Sequence, residues 1–368
     1  MKEDVVFAPV DTIRRFSEAA FVRLGIPKDD AVICTDVLIR SDLRGIASHG
    51  VGRLRMYIDR IRAGMIEPVT EFEVVQEGAT TAVVDGHHGM GHVIGVRSMR
   101  LAIRKAKEYG IGAVAVRNSS HFGIAGYYSL LAVEEGLIGV TMTNARPSVF
   151  PTFGGEPMFG TNPIAFGAPT DEGCPFLFDA STSVVPRGKL EVLSRAGTPL
   201  PPGWVIDRGG GIATDTDAVL AGLNAGEFGL LPLGGAGETL SGHKGYGFAT
   251  IVEILSASLQ AGCSLQELAS FAPDGSPRKQ RLGHFFLAID IGVFTDPTSF
   301  RKTTGEILRR LRASRKLPGA DRIYTAGEKE CERERETASH GIPINPKLQA
   351  TLSAIRDELG ITDPQLPF

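Results

Sequence analysis

The chain has 368 residues, 42% hydrophobic and 22% charged, with 39 basic against 42 acidic side chains and a net charge of -3. This length implies two or three domains with enough apolar material for large packed cores. No long basic run is present, so neither nucleic acid nor an anionic membrane is an expected partner. The longest apolar stretches, such as 137–142, fall far short of the roughly 20 residues a membrane helix needs. The opening MKEDVVFAPVDTIRRF carries acids early and has no signal-peptide apolar region, so a cytoplasmic location is expected.

In chain order, Asp11-Thr12 is predicted to cap a helix with Ile13, Phe16, Ala20 and Leu24 on one face, ended by Gly25. Helices over 29–41 and 52–62 follow, and Pro68 closes this helical section. The pattern then becomes strand, strand, helix, strand: FEVVQ, TAVVD, a helix over 99–109, and GAVAVRN. A helix over 126–136 precedes the buried-type strand LIGVTMTN. Pro and Gly dominate 146–240, where PIAFGAP and PFLFDAS are the short apolar runs and 194–217 reads as loop. An apolar helix over 245–261, the strand GHFFLAIDI and a charged helical tail from Ser299 complete the chain. The reading is an α/β protein in three sections: helical 1–70, an α/β core over 71–298, and helical 299–368.

Cys34, Cys174, Cys263 and Cys331 stand singly, so neither a zinc site nor a disulfide framework is expected. Glycine supplies 45 residues, about 12% against a usual value of about 7%. Seven of the eight histidines adjoin a glycine, His121 being the exception, which suggests polar sites built on tight turns. Asp85, His87, His88 and His92 carry metal-ligating side chains, but Gly89 and Gly91 interrupt the helix that would align them, and no metal is expected. The dinucleotide fingerprint GxGxxG is absent.

The stretch SDLRGIASHGVGRL (41–54) resembles the opening signature of the malate/L-lactate dehydrogenase family. Family-like motifs follow in order: VAVRNSSHFG, FGTNPIAFGAP, FDASTSVVPRGK, PLGGAGETLSGHKGYGFA, GHFFLAID and AGEKECERERETASHGIPI. The resemblance spans nearly the whole chain. It implies a non-Rossmann, sulfolactate-dehydrogenase-like α/β fold, with a glycine-rich mixed-sheet core flanked by helical N- and C-terminal sections. It also implies a homodimer and an NAD(P)-dependent enzyme that interconverts a small 2-hydroxy acid and its 2-oxo acid. Malate or sulfolactate is the expected substrate. The alternatives are a reductase of a cyclic imine 2-carboxylate and an inactive ligand-binding homologue, the latter opposed by the joint presence of His49, Arg53, His121 and Lys244.

On this resemblance His49 and His121 are the proton-transfer candidates, with the balance on His49, and Arg53 anchors the substrate carboxylate. Ser48 and Tyr57 are further substrate contacts, and Arg146 is a second cation suited to a dianion. Thr161 and Asn162 are assigned to the nicotinamide amide, Asp179, Ala180 and Ser181 to ribose and phosphate. Lys189, His243, Lys244 and Gly245 are assigned to the pyrophosphate. Asp179 opposes a 2′-phosphate whereas Arg187 attracts one, and the balance is on NAD over NADP. The chain departs from the family at Ala47, where an acid is common, and at Pro186, where a small residue is common.

Overall fold

The computed structural model describes residues 5–195, 197–223 and 225–368. A short strand β1 (Val6–Ala8) leads into α1 (Val10–Arg23), α2 (Lys28–Leu43), a 3-10 turn (Val51–Arg53) and α3 (Leu54–Arg62). α1 buries Ile13, Phe16 and Ala20 as its periodicity predicts, but it starts at Val10 on Pro9 with no side-chain cap. Asp11 lies inside the first turn, where it meets the positive end of the helix dipole.

The core follows as β2 (Glu73–Glu77), β3 (Thr81–Asp85), α4 (Gly91–Tyr109), β4 (Ile111–Ser119), α5 (Ala125–Glu134) and β5 (Ile138–Thr143). α4 begins eight residues before the predicted Met99. Gly95 does not break it, because the missing side chain lets α4 cross close to α5: a Cβ there would sit 2.6 Å from Tyr128 Cε1. Next come β6 (Ile164–Ala168), β7 (Phe176–Ala180), α6 (Arg187–Arg195), β8 (Val205–Asp207), α7 (Thr216–Gly222), β9 (Phe228–Leu230) and α8 (Gly242–Glu253). α6, α7 and the β8–β9 pair escaped prediction, since each is short and set among Pro and Gly. The predicted helix over 245–261 is α8 followed by a π turn (Ile254–Ser258). β10 (Leu282–Ile289), α9 (Pro297–Arg312), α10 (Glu328–His340), β11 (Ile342–Ile344) and α11 (Pro346–Leu359) end the chain.

Seven strands form one mixed sheet in the order β2-β3-β4-β10-β5-β6-β7. Only β3–β4 is parallel, joined through α4, and β10 is inserted antiparallel between β4 and β5. One apolar cluster joins α1–α3 to the C-terminal Ile342, Ile344, Leu352 and Ile355. A second lies between the sheet and α4–α5, and a third gathers Val149, Leu190, Val205, Val219 and Leu230. No helix among the described residues is long and apolar enough to cross a membrane.

Two expectations are corrected. Cys174 and Cys331 form a disulfide across 157 residues, tying the turn before β7 to α10. Closing so long a loop stabilises the fold by about 5 kcal/mol on chain-entropy grounds, and spacing alone gave no hint of it. Two glycine-adjacent histidines, His92 on α4 and His284 on β10, are fully buried in the core rather than set on turns.

Candidate active site

Three segments converge on one cleft. Asp42, buried on the last turn of α2, accepts the Val51 N–H at 2.7 Å and so ties down the turn between them. Burial raises its pKa to about 7. This turn presents Ser48 and His49, with the Ser48 hydroxyl 2.9 Å from His49 Nδ1. A shared helical face for His49 and Arg53 was expected. Instead His49 lies on the turn, Arg53 closes the 3-10 turn, and α3 starts one residue later. Both still line the cleft. Arg53 Nε donates to the Ser48 carbonyl at 2.5 Å, and its Nη2 lies 3.6 Å from Glu191 on α6.

One turn along α3 the Tyr57 hydroxyl is 2.6 Å from Nδ1 of His121, which sits in the loop between β4 and α5. The Gly123 N–H reaches the same nitrogen at 3.4 Å. These contacts fix the His121 ring and leave Nε2 for the substrate. A hydroxyl both donates and accepts, so Tyr57 can meet either tautomer, and it is the Nδ1–H form, accepted by Tyr57 with the Gly123 contact given up, that leaves Nε2 able to take a proton. The His49 and His121 rings stack with centroids 5.6 Å apart and planes 14° from parallel. Burial, with Arg53 adding, lowers the His49 pKa to about 4. Burial, then His49 and nearby arginines, drives His121 well below its ordinary value. Both rings are therefore neutral at pH 7.

The third segment enters from β5 and β6. Asn144, just past β5, and Asn162, just before β6, both donate to the buried Glu253 of α8, at 3.3 and 2.9 Å. Glu253 also accepts the Leu265 N–H at 2.9 Å. This carboxylate pins the loops that bring Arg146 and Thr161 to the cleft. Asn162 itself is fully buried, its amide committed to Glu253 and the Ala249 carbonyl.

The cleft, about 360 Å³, thus gathers His49, Arg53, His121, Arg146 and Thr161, while Ser48 and Tyr57 hold its histidines. Asp179 lines a different cavity, about 290 Å³, with Arg44, Tyr324, Lys329 and Glu330. Burial raises the Asp179 pKa to about 6 although the Gly126 N–H donates to it at 2.7 Å. Ala180 pairs with Ile164 across β6–β7, and Ser181 Oγ donates to the Ser183 carbonyl at 3.2 Å. Lys189 is exposed on α6 over the Trp204 ring, and His243 and Lys244 are exposed on the first turn of α8. Gly245 serves chain packing: a Cβ there would sit 2.1 Å from the Leu233 carbonyl oxygen. None of these four lines the cleft.

The residues weighed for a metal are dispersed. Asp85 binds Arg117 and Asn118, His88 Nδ1 meets the Gln280 carbonyl at 2.8 Å, and His92 is buried. Among the described residues, one group of three side chains lies close enough to share an ion, Glu71, Glu73 and His87, half-buried at most.

His92 packs its ring centroid 4.7 Å from that of Tyr57, and neither ring nitrogen has a hydrogen-bond partner among the described residues. Burial lowers its pKa to about 3, so the folded protein keeps it neutral where the unfolded chain takes up a proton. The stability this neutral ring allows is full above pH 6.5 and is lost as pH falls from 6.5 towards 3. Between pH 8 and pH 5 the loss is about 2 kcal/mol. His92→Phe is expected to shrink the pH 8-to-5 drop in urea-unfolding free energy by that amount; an unchanged drop contradicts the assignment.

Sequence reasoning missed Arg60, Lys279, Gln280 and Arg281, all on the cleft wall. Arg60 had a signal: it lies seven residues after Arg53, two turns along the same helical face. The strap 279–281 had none, because only the fold brings it beside α3.

Paired imidazoles facing clustered guanidiniums define a site that moves a proton on a small acid. The profile of the malate/L-lactate dehydrogenase family matches residues 8–353. The chain is 44% identical to malate dehydrogenase of Pyrococcus horikoshii, over 98% of this chain and 97% of that one. It is 36% identical to L-sulfolactate dehydrogenase of Methanocaldococcus jannaschii, over 96% and 94%. The crystal structure of malate dehydrogenase from Entamoeba histolytica superposes with a TM-score of 0.95 at 42% identity, covering 99% of this chain and all of that one. The chain belongs to the malate/L-lactate dehydrogenase family. Its fold is the family's non-Rossmann, sulfolactate-dehydrogenase-like α/β fold, and it is a nicotinamide-dependent oxidoreductase acting on the hydroxyl of a 2-hydroxy acid.

Proposed function

We propose that the chain interconverts a dianionic 2-hydroxy acid and its 2-oxo acid, malate/oxaloacetate or sulfolactate/sulfopyruvate, with NAD. The observation that carries this is the charge of the cleft. Arg53, Arg60, Arg146, Arg187, Lys279 and Arg281 line it against Glu191 and Glu267, with Glu67 pairing Lys279 from outside the lining, beside two neutral histidines. One cation suffices for a monoanion; this surplus suits two anionic groups. It also disfavours a cyclic imine, whose nitrogen becomes cationic on protonation.

The residues present fit a nicotinamide dinucleotide. Asp179 offers its cavity a carboxylate suited to a ribose hydroxyl, one oxygen being held by the Gly126 N–H, with Ala180 and Ser181 next to it. Thr161 lines the cleft of the histidines and Asn162 backs it, while a pyrophosphate role for Lys189, His243, Lys244 and Gly245 rests on the family resemblance, since none of them lines either cavity. When bound, the cofactor supplies or accepts the hydride. Asp179 opposes a 2′-phosphate, and Arg187, which would attract one, lies in the other cavity. That separation favours NAD, although relatives use both cofactors.

Arg53 holds the substrate's 2-carboxylate. His121 Nε2 exchanges the proton with the substrate oxygen, taking it in oxidation and returning it in reduction. Sequence reasoning leaned to His49, but Tyr57 orients the His121 ring from α3, whereas His49 Nδ1 meets the Ser48 hydroxyl of its own turn and Ala47 stands where an acid is common. Two imidazoliums so close would repel, so the stacked pair carries at most one proton.

A homodimer is proposed from the exposed apolar stripe of Phe248, Ile251 and Ile254 on α8 and its extension, which association would cover. A cytoplasmic location follows from the need for a recycled nicotinamide pool. NAD(P)H oxidation with oxaloacetate, sulfopyruvate, pyruvate and a cyclic imine 2-carboxylate tests the function. Turnover should favour a dianion; preference for the imine replaces this reading, and no turnover with any substrate removes it.

A further inference from the structure

Most cations of the cleft are already committed. Arg53 has the Ser48 carbonyl and Glu191, and Arg187 Nε reaches Glu191 at 3.2 Å. Lys279 pairs with Glu67, and Arg281 donates to the Glu267 carbonyl at 2.7 Å. Arg60 differs. Its guanidinium makes one polar contact, Nη1 to the neutral Gln280 amide oxygen at 3.4 Å, and no carboxylate among the described residues lies within ion-pair reach. A half-buried guanidinium held by a neutral partner keeps its full charge for a ligand.

Position supports the same conclusion. Arg60 lies on α3 seven residues after Arg53, which caps that helix, and both line the cleft, so the two guanidiniums address different parts of a bound acid. Arg146 lines the same cleft, near enough to Arg187 and Arg60 for their charges, after burial, to lower its pKa to about 10. Gln280 is the link to the chemistry. The oxygen that receives Arg60 also accepts the His121 backbone N–H at 3.3 Å, and its own backbone is fixed by Met65 and His88.

We infer that Arg60, held in place by Gln280, determines specificity by binding the second anionic group of the substrate, the carboxylate or sulfonate distal to the 2-oxo acid. The inference rests on the dianionic reading of this cleft. Arg53 takes the reacting end and Arg60, with Arg146, the far end. Through Gln280 the far end is in register with His121, so a correctly sized dianion sets its carbonyl oxygen against Nε2.

Two variants test this. Arg60→Gln removes the charge. Gln280→Glu keeps an acceptor for His121 but places an anion against Arg60, neutralising it in a folded protein even if the first variant folds poorly. In each, kcat/KM for oxaloacetate should fall on the order of a hundredfold and that for pyruvate by at least about tenfold less, so the oxaloacetate-to-pyruvate ratio drops. Binding to the NADH-loaded enzyme gives a readout independent of turnover. Calorimetry with succinate and butyrate, acids of equal carbon count, should show a dianion preference in the wild type that both variants lose. Equal losses on oxaloacetate and pyruvate, or an intact succinate preference in the variants, overturn the role of Arg60 while leaving the enzyme's function standing. An Arg60-dependent succinate preference in a protein that reduces no 2-oxo acid upholds the anion subsite and removes the proposed function instead.

Discussion

His121→Asn is expected to lower kcat roughly a thousandfold in both directions, the range lost with a positioned acid–base group, while NADH binding by fluorescence stays unchanged. The asparagine amide places a polar atom near the position of Nδ1 for the Tyr57 hydroxyl, so with NADH binding unchanged the loss reads proton transfer rather than collapse of the loop. His49→Asn should cost less than about tenfold, because His49 packs against the acting ring without exchanging the substrate proton. The pH profile separates the two further. For oxidation, kcat/KM reports the base in the free enzyme, and burial with the neighbouring charges holds the His121 pKa well below 6.5. The acid limb should therefore lie below pH 6.5, and activity should stay flat from there to neutrality. A limb at or above 6.5, or a larger loss from His49→Asn than from His121→Asn, returns the catalytic role to His49.

Arg53→Ala is expected to lower kcat/KM about a hundredfold or more for every 2-oxo acid, since all share the 2-carboxylate, equivalent to about 3 kcal/mol of charge-assisted hydrogen bonding. Arg53→Lys should recover only part of the loss, because an ammonium does not reproduce the planar two-point contact. Arg53 also donates to the Ser48 carbonyl, so part of the loss should appear in kcat through the turn that carries His49. The contrast with Arg60 is the informative one: Arg53 variants should fail on pyruvate and oxaloacetate alike. A substrate-selective loss would exchange the two roles.

The helices of the N-terminal section were legible because their periodic apolar faces are buried in one cluster, as at Ile13, Phe16 and Ala20. The start of α4 was not, because Gly89 and Gly91 read as breakers when only their local effect is weighed, and the close helix crossing that Gly95 permits is a tertiary fact. The disulfide was invisible for the same reason, since residues 157 apart carry no local mark of their pairing. Within the site, the motif around His49 and Arg53 marked one wall, and the family resemblance marked His121 and Arg146. It did not mark Tyr57 as the partner that fixes His121, nor Gln280 as the common acceptor for Arg60 and the His121 loop. The grouping of cofactor residues was only partly legible. The sequence set Asp179 and Arg187 as opposing cues at one ribose, and the fold assigns them to separate cavities.

The most direct test of the central claim, a cleft built to seat a dianionic 2-oxo acid beside a neutral histidine pair, is the ratio of kcat/KM for oxaloacetate to that for pyruvate with NADH. The arginine-rich wall predicts a ratio of at least about a hundred, falling towards one as salt screens the cleft or Arg60 is replaced. A ratio near one in the wild type, insensitive to salt, would contradict it.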